Sequence, residues 1–98
     1  LTVNEIKAMK ICLNYKNRED QIYDNFSDTG PVDIAKKLGW DMHQVGGLLA
    51  SLENKGMAWV DDRSDDSHMK GCGTDMHIVW LTNKGINTIF DIIEKEAA

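Results

Sequence analysis

The chain has 98 residues, 42% of them hydrophobic, which is enough apolar material for one small core and no more. Eleven basic residues against sixteen acidic ones give a net charge of −5, so no broad basic field is available for holding phosphates, and one acidic domain is expected. The longest apolar runs fall far short of the ~20 residues that a bilayer crossing needs, no leader-like segment is visible, and two lone cysteines make no disulfide framework. A cytoplasmic, soluble protein without membrane partners is the expectation.

Thr2 and Glu5 have capping-box spacing, and Val3, Ile6, Met9 and Leu13 follow at helical intervals, which predicts a helix over 3 to about 16. From 16 to 29 the chain holds six charged residues, with Ile22, Tyr23 and Phe26 as its apolar anchors, and reads as a connector with at most one irregular turn. Pro31 at a first helical position, the apolar Val32, Ile34, Ala35 and Leu38, and the stop at Gly39 predict a helix over 31–38. Asp41 can cap a second helix over 42–55, whose Val45, Leu48, Leu49 and Leu52 recur at i, i+3, i+4 and i+7 before Gly56 closes it. Short strand-like runs near 57–62 and 76–81 flank a polar stretch, predicting a hairpin over 57–81. Thr82 can cap a last helix over 83–95, on which Ile86, Ile89, Phe90 and Ile93 form an apolar stripe.

The order helix, turn, helix, strand, loop, strand resembles a winged helix-turn-helix domain of the MarR-like kind. The likeness is carried by Ile34-Ala35-Lys36-Lys37-Leu38-Gly39, Val45, Leu48-Leu49, Leu52-Glu53, Lys55-Gly56 and the Leu81-Thr82-Asn83-Lys84-Gly85 run, and it covers roughly 29–90. The fold class it implies is mainly α with a small β-hairpin. It also implies a function: a small, non-enzymatic DNA-binding protein acting as a transcriptional regulator, with double-stranded DNA as partner. In DNA-binding members of this fold the second helix of the motif enters the major groove. That places Met42, His43, Gln44 and Gly47 at base edges, glutamine suiting adenine and methionine a thymine methyl, with Gly46 and Ser51 on the same outward side. Lys36, Lys37, Lys55 and Arg63 are the cations left for phosphates.

The residues depart from the pattern in two ways. Gly46 and Gly47 stand where relatives often place polar or basic side chains, and two helical glycines cost about 1 kcal/mol each against alanine. Close packing inside the domain is one reason for them, and approach of DNA or of a partner is the other. The stretch from Asp61 to Asp75 carries five aspartates against Arg63 and Lys70, so a wing built from it repels phosphate. An acidic winged-helix interaction module that does not bind DNA is therefore the alternative, an adaptor, inhibitor or DNA competitor in which Asp61, Asp62, Asp65 and Asp66 meet a basic protein.

No cofactor or metal is expected. His68, Cys72 and His77, with Asp65, Asp66 and Asp75 nearby, share one loop, but their spacing matches no zinc pattern and no Cys-x-x-Cys pair is present. Catalytic signatures are equally lacking, so an enzyme is not expected. The apolar stripes of the first and last helices suit either the core or a homodimer of the MarR-like type. Trp40, Trp59 and Trp80 are expected to pack at the turn and strands rather than to face solvent.

Overall fold

The structure, a computed structural model, describes residues 1–25, 27, 29–62 and 77–97, without the side chains at 61, 62 and 77. Helix α1 spans Val3–Ile11 and begins with the expected capping box, in which Thr2 Oγ1 accepts from Glu5 N–H and Glu5 Oε1 from Thr2 N–H. It ends earlier than the apolar stripe predicts. The buried amide of Gln21 accepts hydrogen bonds from the backbone N–H groups of Asn14 (2.9 Å) and Tyr15 (3.1 Å), drawing the chain out of the helix. Gln21 lies on α2, Arg18–Tyr23, a short helix where only a connector is expected. Asn17 caps α2 through Asp20 N–H. Arg18 anchors it by donating to Asp91 (2.6 Å) and Glu94 (2.9 Å) of the last helix.

The motif's two helices are α3, Pro31–Leu38, and α4, Met42–Asn54. Gly39, between them, adopts φ 69°, a left-handed turn that a side chain would strain, and this allows the sharp change of direction. Strands β1, Ala58–Asp62, and β2, His77–Leu81, pair antiparallel in the register Trp59↔Trp80 and Val60↔Val79. The far edge of β2 is occupied: Val79 N–H donates to Thr29 O (2.8 Å), Ser27 Oγ to Val79 O (2.7 Å) and Asn25 Nδ2 to Leu81 O (3.0 Å).

Helix α5, Asn83–Ala97, completes the chain. Thr82 joins it to the hairpin, its Oγ1 accepting from Gly85 N–H and donating to Gly56 O. A Cβ at Gly85 would lie 2.0 Å from Met57 O, so only glycine allows the helix to lie this close. One core gathers side chains from α1, α3, α4, both strands and α5, with Met9, Ile34, Val45, Leu52, Val79, Ile86 and Ile89 all at 1% exposure or less. Each such side chain contributes about 1.5–3 kcal/mol through burial. Ile89 and Phe90 of the terminal stripe belong to this core, so the chain covers them itself.

Candidate nucleic-acid interface

Helix α4 is amphipathic, and its two sides have separate tasks. Val45, Leu49 and Leu52 turn into the core. Met42, His43, Gln44, Gly46 and Gly47 face solvent, Met42 at 48% exposure. The glycines are not explained by internal packing, since a Cβ added at either would meet nothing within 4 Å. Their helix surface is bare, and a large partner could come within backbone distance of it.

The start of α4 is capped at two of its orphan donors. Asp41 Oδ1 accepts from Gln44 N–H (2.8 Å), and Gln44 Oε1 accepts from Asp41 N–H (3.2 Å). This capping box has a chemical consequence, because the Gln44 oxygen already serves the cap while the amide nitrogen remains a donor. The presented end therefore offers a glutamine donor, an imidazole and a thioether, with the Asp41 carboxylate beside them.

Among the described residues, cations are sparse on this side. Lys36 and Lys37 are exposed in the last turn of α3. Lys55 is held elsewhere, with Nζ 2.8 and 3.0 Å from the two carboxylate oxygens of Glu5. Ser51 Oγ donates to the same carboxylate (2.9 Å), so this outward candidate faces α1 instead. Glu5 is 3% exposed. The Lys55 ammonium, followed by the Thr2 backbone N–H and the Ser51 hydroxyl, holds its carboxyl down at about 2 despite the opposing effect of burial. Arg63, Asp65, Asp66, His68, Lys70, Cys72 and Asp75 lie outside the described residues, as do the side chains of Asp61, Asp62 and His77.

On the outer face of the hairpin Trp59 stacks on Trp80, with ring centroids 5.7 Å apart and planes at 13°. Trp59 is 46% exposed, contrary to the packed position expected for it, because its register places it opposite Trp80 on the face turned away from Ala58 and Val79.

No family model and no curated protein matches the chain. Among solved structures it is similar to a candidate DNA-binding protein from Ralstonia eutropha JMP134, at 17% identity and a TM-score of 0.64, covering 94% of this chain and 96% of that one. It is also similar to MepR from S. aureus, as a single-residue mutant (21% identity, TM-score 0.58) and bound to ethidium bromide (19%, 0.51), each covering 99% of this chain. The chain spans 64% and 62% of those two MepR chains. Together with the hairpin that follows α3 and α4, these likenesses decide the architecture. The fold is the winged helix-turn-helix.

Within the winged helix, Met42, His43, Gln44 and Gly47 share the exposed N-terminal half of α4, and Lys36 and Lys37 sit at the end of the helix before it. Lys55 lies at the other end of α4, against α1. Sequence reasoning missed the Glu5 contact, since nothing local links residues 50 positions apart. The Asp41–Gln44 box was within reach, because aspartate followed three residues later by glutamine is a capping signature.

Proposed function

We propose that the chain binds double-stranded DNA through α4 and acts, without catalysis, as a transcriptional regulator that occupies its target site, the whole of 1–98 serving as one winged-helix domain. The observation that supports this best is the bare, outward N-terminal half of α4. Two helical glycines there contribute nothing to the core. They let the helix axis lie close to base edges, while Met42, His43 and the Gln44 amide supply apolar and hydrogen-bonding contacts. Gly47 gives backbone approach. Lys36 and Lys37 are the main phosphate contacts, Lys55 is weakened for this role by Glu5, and Arg63 completes the set.

The test is a titration of labelled genomic DNA fragments, followed by fluorescence anisotropy from about 50 mM salt upward. Binding that falls steeply with salt is expected. Lys36→Glu with Lys37→Glu should weaken it for all sequences and flatten the salt dependence, whereas Gln44→Ala should lose about 1–3 kcal/mol at a preferred site. Folded protein that leaves the anisotropy unchanged at the lowest salt overturns the reading.

A further inference from the structure

The hairpin leaves one backbone edge open. Val79 N–H and C=O both turn toward the 25–29 segment, bonding Thr29 O and Ser27 Oγ, so the N–H and C=O of Val60, directly opposite in the antiparallel pair, turn the other way. Asp62, two residues on, has the same orientation. Among the described residues no hydrogen bond reaches these groups of Val60. Ala58 shares the orientation but is buried, so the accessible edge starts at Val60. On the inner side of this edge an apolar groove of about 270 Å³ separates Val60 from Gly46, Leu49, Ala50 and Glu53 of α4. Its floor is low, because Gly46 has no side chain and nothing lies within 4 Å of its Cβ position. On the outer side Trp80, from β2, covers one face of the Trp59 ring, and the other face of this exposed ring turns toward the open edge.

Edge, groove and ring lie at the spacing of a single strand. A strand laid along β1 alternates its side chains: the residue opposite Val60 points into the groove, as Val60 does, and its neighbours point to the outer face, one of them beside Trp59. The groove takes an aliphatic side chain, and the free face of Trp59 suits a guanidinium, which is planar and cationic. Charge selects the same partner. Glu53 is exposed and pairs with no cation among the described residues, and the stretch from Asp61 to Asp75 carries five aspartates against two basic residues. A second copy of this chain brings a net charge of −5 to the edge and is repelled, whereas a basic segment is attracted. We propose that β1 accepts a basic, extended peptide as an added antiparallel strand, paired with the backbone of Val60, with an aliphatic side chain in the groove and an arginine against Trp59. The pairing stands whether or not α4 meets DNA.

The test uses the capped peptide acetyl-Thr-Arg-Leu-Arg-Thr-amide and two controls, one N-methylated at the leucine and one with glutamate in place of both arginines. Each is titrated to low-millimolar concentration into isotopically labelled protein and followed by NMR shifts of backbone amides and indole N–H groups. The parent peptide should shift the amides of Val60, Asp62, Gly46 and Ala50 and the Trp59 indole. N-methylation removes the N–H that meets Val60 O and should weaken binding by about tenfold or more, as should the exchange of arginine for glutamate. Gly46→Leu, which suits a helix and fills the groove, should weaken the parent peptide to a similar extent. An N-methylated peptide that binds as tightly as the parent reveals charge attraction without strand pairing and overturns the proposal. So does equal binding of the glutamate peptide, an unchanged affinity in Gly46→Leu, or no shift at Val60. A Val60 shift that depends on protein concentration without peptide assigns the edge to a second copy and overturns it as well.

Discussion

Replacing Glu5 by glutamine removes the charge from a carboxylate that joins α1 to the far end of α4. In the folded protein this carboxyl is held at about 2, against 4.5 when free. Its ionised form therefore stabilises the fold fully above pH 4.5, and that stabilisation is lost as the pH falls toward 2. Taken whole, the depression corresponds to about 3 kcal/mol. The Lys55 side chain is 41% exposed, however, so water screens the pair and solvates the ammonium once its partner is gone. We expect Glu5→Gln to cost about 1–2 kcal/mol at pH 7, more than a surface ion pair and less than a fully buried one. The assay is urea unfolding followed by far-ultraviolet circular dichroism on both proteins, from pH 7 down to about pH 3. All other carboxylates are shared, so the difference between the two proteins isolates Glu5, and it should shrink below about pH 4.5, where Glu5 of the unfolded chain takes up a proton and the folded one does not. A difference that is absent at pH 7, or constant across the range, would refute the reasoning.

Gly85→Ala should destabilise by about 2 kcal/mol or more, because the added methyl collides with Met57 O, whereas Gly47→Ala in open space should stabilise by about 0.5–1 kcal/mol; paired thermal melts read both. Leu49→Ala, at a side chain 4% exposed, should cost about 2–5 kcal/mol, and an unchanged urea midpoint would show that this face of α4 does not support the core. Burial pushes the Cys12 thiol up to about 12, so iodoacetamide at pH 8 should label it only once the protein unfolds, as peptide mass spectrometry would show.

What could be read from the sequence was what is encoded locally. Pro31, Gly39 and Asp41 act on backbone within a turn of themselves, and Val45, Leu49 and Leu52 reveal a buried face by their spacing alone. The end of α1 was not legible, because Leu13 continues the apolar stripe while the force that stops the helix is the Gln21 amide, acting from another element. Helix α2 is too short and polar to show a period, although Asn17 followed by Asp20 was a usable capping signal. Among the site residues, exposure of His43 and Gln44 followed from the helix face, but the pairing of Lys55 did not. A lysine on a sequence has no visible partner, and this one's lies on α1. Trp59 shows the same limit: alternation along β1 fixes which face it takes, yet not that the face lies open.

The carbonyl of Met57 sits where three elements meet. The Met57 N–H donates to Leu52 O at the end of α4, its oxygen accepts from Thr82 N–H at the end of β2, and the same oxygen abuts Gly85 in α5. With no side chain between them, the root of the hairpin and the start of α5 meet backbone to backbone. The remote end of α5 is roped to α1 and α2 by Lys10–Glu96 and by Arg18 with Asp91 and Glu94. Helix α5 is thus fastened near both its ends, at one by backbone contact with Met57 and at the other by ion pairs to α1 and α2.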